Sequence, residues 1–302
     1  MYQELIDFLG KERVLCGEPL SRHTSFKIGG PADVLVRPSE ADQLAGVLQI
    51  CRNSRIPYFI LGNGSNLLVS DSGFRGAAIC LDGFDRLCIS GEWEKGMILY
   101  AGAGVLLSSF ASFALKQGQT GLEFASGIPG SVGGAIWMNA GAYGGEISQV
   151  LFESECLNPQ SGQIERLSGA AHQFAYRHSV YQENDGIILG GFFRLRTGTQ
   201  KQISGEMKRL SCLRREKQPL SYPSAGSAFR RPEGHYAAAL IEQCGLKGYR
   251  CGDAQISEKH CGFIINLGGA SCEDVLSVIE YTRKCVFEQT GVLLEPEIKY
   301  IG

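Results

Sequence analysis

The sequence predicts an α+β fold in which a first region mixes short strands with a few helices and a smaller second region is richer in helices. Three observations carry this. Up to Leu195, short apolar runs bounded by turn formers, such as Pro57 to Leu61 and Ala77 to Leu81, alternate with single amphipathic helices. From Ser204 the periodicity becomes helical. Between them, Thr199 to Lys201 is polar and unpatterned, which places the main boundary there and divides the chain into residues 1–199 and 200–302.

Taken in order, Tyr2, Leu5, Ile6 and Leu9 have the spacing of one helical face, and Gly10 ends that helix. The loop SRHTSFKIGGPAD holds too many turn formers to be regular. Asp33 to Arg37 reads as a strand, and Pro38-Ser39 opens a helix with Ser39 and Asp42 spaced as a capping box and Leu44, Val47, Leu48 and Cys51 as its inner stripe. Pro57 to Leu61 reads as a buried strand running into Gly62-Asn63-Gly64-Ser65-Asn66, and Leu87 to Ser90 and Ile98 to Ala101 as further strands. Val105 to Gln117 reads as a helix buried through Leu106, Phe110, Phe113 and Ala114 and closed by Gly118. Strands near Val150 to Asn158 and Ile187 to Leu195 complete the first region. Helices follow at Ser204 to Glu216, Tyr236 to Cys244 and Ser271 to Thr290, the last with a Ser271/Asp274 capping box and Gly291 as its stop.

Composition narrows the function classes. At 302 residues and 44% hydrophobic content the chain can bury sizeable cores. Its 29 Lys and Arg against 31 Asp and Glu give a net charge of −2, which points to neither nucleic acid nor an anionic membrane surface, so a ligand is recognised locally. The 11 cysteines are odd in number and lack a C-x-x-C pair, so they read as reduced thiols of a cytoplasmic protein, with no disulfide framework and no metal site. The N-terminus lacks the apolar core of a secretory signal, and no apolar run reaches membrane length.

The chemistry centres on Gly121 to Gly145, GLEFASGIPGSVGGAIWMNAGAYGG. Glu123 is its only charge, and seven glycines and a proline fall between Gly127 and Gly145, which disfavours helix and strand interiors and predicts a buried loop system. Closely spaced backbone amides with few side chains form nests for an anion, a diphosphate above all. A membrane span fails because Gly-Ile-Pro-Gly would break the helix; a string of structural turns is the competing reading. GNGSN at 62–66 lacks the third glycine of the dinucleotide fingerprint, Leu67 standing in its place, and there is no P-loop. Two separate glycine loops, 62–66 and 127–134, can still clamp two phosphates of one dinucleotide.

Seven stretches, PADVLVRPSEADQL, LGNGSNLLVSDSGFRGAAI, FASGIPGSVGGAIWMNAGAYGGEI, AYRHSVYQE, YPSAGSAFRRP, SEKHCGFIIN and LEPEIKYIG, resemble in fixed order the UDP-N-acetylenolpyruvoylglucosamine reductase family, flavoproteins that make UDP-N-acetylmuramate. The resemblance spans nearly the whole chain. It implies a two-subdomain FAD-binding module of the p-cresol methylhydroxylase (PCMH) and vanillyl-alcohol oxidase type over 1–199, with subdomains near 1–85 and 86–199. A smaller α/β substrate-binding domain over 200–302 follows, and whether the last residues pack back on the first subdomain stays open.

It further implies that non-covalent FAD is held by Gly62, Asn63, Gly64, Ser65, Asn66 and Leu67 and by Ile128, Pro129, Gly130, Ser131, Val132, Gly133 and Gly134. Asn139 to Ala142, with Gly141 among them, line the same cleft, and Ile188 joins the set. Ser227 is implied as proton donor, Arg177 as carboxylate ligand and Glu297 as its companion. The implied substrates are UDP-N-acetylglucosamine enolpyruvate and NADPH, for a step in peptidoglycan precursor synthesis. Lys217 matches a phosphate-contacting lysine, and Arg214, Arg230, Arg231, Tyr222 and His260 are the other substrate candidates.

On the residues alone each has a plainer reading: Ser227 a turn serine, Arg177 a surface arginine, Glu297 a solvated tail, the arginines a charged helix face, Tyr222 packing, His260 a core or substrate-facing histidine. The chemistry nonetheless asks for them. Hydride addition to an enolpyruvyl ether leaves a strongly basic enolate that a weakly acidic hydroxyl can protonate, and a guanidinium fork matches the carboxylate. A buried Glu297 can stay protonated and bond the enolate oxygen. Longer relatives carry an extra segment with a covering tyrosine; only a short polar stretch follows Leu195 here, which marks a compact subtype. A related flavin oxidase and a non-catalytic UDP-sugar binder are the competing function classes.

Overall fold

The computed structural model describes residues 2–302. By contact the chain divides into two compact units, Met1–Leu15 with Val34–Asn63 and Ala77–Arg214, and Cys16–Asp33 with Gly64–Gly76 and Arg215–Gly302. The division falls inside the helix Gln200–Lys217 because that helix begins on the first unit, where Gln200 Nε2 donates to the Lys116 carbonyl at 3.0 Å. Among the described residues no helix is long and apolar enough to cross a membrane, and all eleven cysteines are free.

The first unit has two cores. One gathers Leu5 and Leu9 of the helix Gln3–Leu9, the predicted stripe Leu44, Val47, Leu48 and Cys51 of the helix Ala41–Asn53, and Val34, Val36, Ala77 and Ile79 from strands. Those strands belong to a four-stranded sheet ordered Val14–Pro19, Pro31–Val36, Phe74–Cys80, Tyr58–Leu61, with the last pair parallel. Tyr58–Leu61 was expected to be buried, but as an edge strand it buries only Leu61. The expected Ser39/Asp42 capping box does not form either. Arg13 Nη1 reaches both Ser39 Oγ (2.6 Å) and Gln43 Oε1 (2.8 Å), Gln43 accepts from the Ser39 amide, and the helix starts after Glu40 with no side-chain cap.

The other core packs on an antiparallel sheet ordered Ile164–Ser168, Leu151–Leu157, Ile187–Thr197, Gly96–Gly102, Leu87–Trp93, with Gln119–Thr120 paired to the end of Ile187–Thr197. Ile164–Ser168 gave no sequence signal because it is a solvated edge strand without a buried residue. In the helix Leu107–Lys116 the buried face is Leu107, Phe110, Ala111 and Ala114; Leu106, expected inside, is 40% exposed and Phe113 only half-buried. Leu106 stays extended because it bridges Ser131, with the Val105 carbonyl accepting from Val132 and the Leu107 amide donating to Gly130, and this moves the helix start and rotates its inner stripe.

The glycine-rich stretch is not helix-free: Val132–Met138 forms a short α-helix. Gly133 packs so tightly that a Cβ would lie 2.9 Å from Ala103 Cβ, and the Val132 and Gly133 amides donate to the Val105 and Ala103 carbonyls. That packing outweighs the propensity penalty of about 1 kcal/mol per glycine.

The second unit has one core, including Phe26, Ile28, Leu68, Ile241, Ile264, Val275, Val278 and Leu294. Its antiparallel sheet runs Ser224–Ser227, Phe263–Asn266, Ala254–Ile256, Arg250–Cys251, and Lys299–Ile301 pairs in parallel with Leu67–Val69. The helix Cys272–Thr290 has the expected reciprocal Ser271/Asp274 capping box and ends at Gly291 in the left-handed region, φ 73°. A second carboxylate joins its first turn, since Asp71 accepts from the Cys272 (2.8 Å) and Glu273 (3.3 Å) amides. Asp71→Ala is expected to lower stability by about 1 kcal/mol, as loss of an N-cap does; an unchanged urea midpoint would refute this.

Candidate functional site

The loop after strand Tyr58–Leu61 turns its carbonyls inward and leaves its amides open. The Gly64 carbonyl accepts from Ser25 N–H (3.1 Å) and that of Asn66 from Lys299 N–H (2.9 Å), whereas the amides of Gly62, Asn63, Gly64, Ser65 and Asn66 bond to no other described residue. Such a row of unpaired N–H groups suits an anion. Gly64 sits at φ +59° with a would-be Cβ 2.0 Å from the His23 carbonyl oxygen, so only glycine fits.

In the first unit Gly62 and Asn63 lie against the second glycine loop. Asn63 Nδ2 donates to the Pro129 carbonyl at 2.5 Å, and a Cβ on Gly62 would stand 2.6 Å from Ser131 Oγ. Only part of the ribbon 128–134 keeps its main-chain nitrogens open. Ile128, Val132 and Gly133 donate to the carbonyls of Ala125, Val105 and Ala103, and Gly134 to Ser131 Oγ, while Pro129 has no N–H. Gly130 and Ser131 keep amides that bond to no other described residue. The segment Ala103–Val105, the Ala125 carbonyl and the Ser131 cap take the others.

Asn139, at φ +43° and 1% exposed, spends its side chain on the protein, donating to the Ala175 carbonyl and accepting from the Ser148 amide. Both polar atoms of that side chain thus have a partner within the protein. Ile188 is likewise buried in the core on its strand. Arg177 occupies the tip of a tight turn closed by paired bonds between Ala175 and His178, at φ +56°. That conformation costs a side-chain-bearing residue roughly 1 kcal/mol and is held by neighbours: Gln182 Nε2 donates to the Arg177 and Trp137 carbonyls, both at 3.0 Å. The guanidinium lies 3.4 Å from the Gly141 carbonyl and over the Tyr176 ring. Arg214 packs on Gly127, and burial pulls its pKa down against an opposing pull from Tyr143, a residue the sequence reading did not single out.

In the second unit Ser227 and Glu297 come together. Gly226, at φ +77°, sits in the irregular stretch between the Ser224–Ile265 and Ser227–Phe263 pairs. Ala228 then donates to the Gly262 carbonyl and accepts from the Glu297 amide at 2.8 Å. His260 belongs to this group. Its ring meets Phe263 edge-on at 5.0 Å, and its Nδ1 accepts from the Gly262 amide at 3.2 Å. Burial chiefly, with a lesser contribution from Lys217, holds its pKa below the usual histidine range, against Glu242. A neutral ring accepting at Nδ1 carries its proton on Nε2.

Arg230 and Arg231, with Glu233, His235 and Glu295, line a cavity of 400 Å³, and Arg231 stacks on Tyr236 at 4.1 Å. Tyr222 is exposed on a turn, its amide bonded to the Pro219 carbonyl.

A family model for the C-terminal domain of UDP-N-acetylenolpyruvoylglucosamine reductase matches residues 218–301, and an FAD-binding domain model matches 32–168. A UDP-N-acetylenolpyruvoylglucosamine reductase from Caldanaerobacter subterraneus is 48% identical over 302 residues, covering 100% of this chain and 98% of its own length. The chain belongs to the UDP-N-acetylenolpyruvoylglucosamine reductase family. Another member, from Lachnoclostridium phytofermentans, is 46% identical over 99% of this chain and 96% of its own. The crystal structure of the UDP-N-acetylenolpyruvylglucosamine reductase of Thermus caldophilus superposes with a TM-score of 0.80 at 33% identity, over 96% of this chain and 98% of that one. In this reductase-family chain the FAD-binding model takes in both glycine loops, and the C-terminal model takes in Ser227, His260 and Glu297. Arg177 and Lys217 fall in neither.

Proposed function

We propose that the chain is a UDP-N-acetylenolpyruvoylglucosamine reductase that binds FAD non-covalently and, at the expense of NADPH, reduces UDP-N-acetylglucosamine enolpyruvate to UDP-N-acetylmuramate for peptidoglycan. The single observation that carries it is the bond from the Glu297 amide to the Ala228 carbonyl, which puts Glu297 beside the strand of Ser227. In the first unit, the open amides of Gly62, Asn63, Gly130 and Ser131 and the Cβ-free approach of Gly62 to Ser131 fit a diphosphate-bearing cofactor. Bound FAD supplies two-electron transfer from NADPH to the enolpyruvyl double bond.

The protein does the rest. As hydride enters at the methylene carbon, negative charge spreads over the carboxylate, where the Arg177 fork pairs with it and Glu297, in its protonated form, donates a hydrogen bond to the enolate oxygen. The Ser227 hydroxyl gives its proton to the neighbouring carbon, and solvent restores it. Lys217 and Arg214 neutralise the substrate diphosphate, and the Nε2–H of His260 is a donor toward the same ligand. FAD is assigned to 1–199 and substrate to 200–302. Arg230 and Arg231, on the cavity beside Glu295, and Tyr222, on an exposed turn, are the further substrate candidates. A cytosolic location, where NADPH and reduced thiols persist, completes the reading.

The test is optical. Purified protein is yellow, NADPH bleaches it without oxygen, and the enolpyruvyl nucleotide restores the colour. Colourless protein, or bleached flavin that the nucleotide leaves unchanged, refutes the assignment.

A further inference from the structure

Glu297 is fixed at both ends of its own residue. Its amide donates to the Ala228 carbonyl at 2.8 Å, and its carbonyl accepts from Asn66 Nδ2 at 3.0 Å. Two positions on, the Lys299 amide donates to the Asn66 carbonyl at 2.9 Å, and the parallel pairing of Lys299–Ile301 with Leu67–Val69 starts there. Asn66 therefore grips Glu297 to Lys299 through its side chain and its main chain together. Of these bonds only the one from Nδ2 depends on a particular side chain, and it joins positions 231 apart in sequence.

We propose that Asn66 is a positioning residue for Glu297. Its amide side chain sets the height of the Glu297 carboxyl relative to the Ser227 strand, while its backbone N–H remains on the anion-facing side of the GNGSN loop. This rests on the role given to Glu297 above. An asparagine in a glycine loop would otherwise be read as a cofactor contact. Here Nδ2 points to the Glu297 carbonyl, so the end of the cofactor loop also seats a group of the substrate chemistry.

The test is a double-mutant cycle on reoxidation of the NADPH-reduced holoenzyme by the enolpyruvyl nucleotide, with variants Asn66→Ala, Glu297→Gln and both. Loss of one hydrogen bond's worth of placement is expected to slow reoxidation about tenfold in Asn66→Ala. Flavin affinity, followed by fluorescence quenching on titration of apoprotein with FAD, stays near wild type. In the Glu297→Gln background the added Asn66→Ala change has little further effect, because both act through one carboxyl.

Multiplying effects would overturn the proposal, as would weakened flavin binding with normal reoxidation. Should Asn66→Ala fail to fold, Asn66→Leu, which nearly keeps the shape and removes the donor without adding charge, is read in the same cycle with the same two outcomes. A wild-type protein whose reduced flavin ignores the nucleotide has a different signature, overturning the functional reading and this proposal with it.

Discussion

Ser227→Ala is expected to slow substrate-driven reoxidation of the reduced enzyme by roughly 10²- to 10⁴-fold, the range that a positioned general acid supplies, while NADPH reduces the flavin near the wild-type rate. With Ser227 as the proposed proton donor, the two half-reactions would separate, because the hydroxyl would act only when charge builds on the enolpyruvyl carbon. Its place is set by backbone: Gly226 in the left-handed region leads into Ser227 beside Phe263, and Ala228 ties the next peptide to Gly262 and Glu297. Removing one oxygen leaves these bonds untouched, so the variant should fold and stay yellow. Stopped-flow absorbance under nitrogen reads both steps. Reoxidation at the wild-type rate would show that the proton comes from elsewhere.

Asn266→Ala is expected to destabilise the protein by about 3 kcal/mol, since a lost partner at a buried polar group costs 1 to 3 kcal/mol and this side chain has three. Asn266 is 3% exposed; its Nδ2 donates to the Phe26 carbonyl at 3.1 Å and its Oδ1 accepts from the Gly268 and Ala270 amides at 2.8 and 3.1 Å. It therefore pins the segment around Phe26 to the sheet of the second unit and shapes the turn leading to the helix Cys272–Thr290. Asn266→Asp keeps the acceptor but sets a buried carboxylate against the Phe26 carbonyl oxygen, so its loss should be at least as large. Urea unfolding measures both, and a change below about 1 kcal/mol for alanine would contradict this account.

Local signals were readable where nothing distant competed for them. Ser271/Asp274 and Gly291 delimit a helix as their spacing says. Ser39/Asp42 carries the same pattern and makes no cap, because Arg13, 26 positions earlier, takes the serine hydroxyl. The strands Arg250–Cys251 and Ala254–Ile256 are too short to show a period, so the sheet that carries Ser227 was invisible. The individual roles of Ser227, Arg177 and Glu297 came from resemblance; the residues themselves signalled only an anion cleft.

By itself the sequence determined a nearly neutral chain with two glycine loops fit for an anion, a last helix bounded by its own caps, and membership of a reductase family. Only the tertiary structure decided which amides of those loops stay open, that Val132–Met138 is helical, and that Glu297 sits between Asn66 and Ala228. The reason is physical. Caps and turns depend on neighbours a few residues away, whereas the partner of an amide, or the space beside a glycine, is set by segments that meet only after folding.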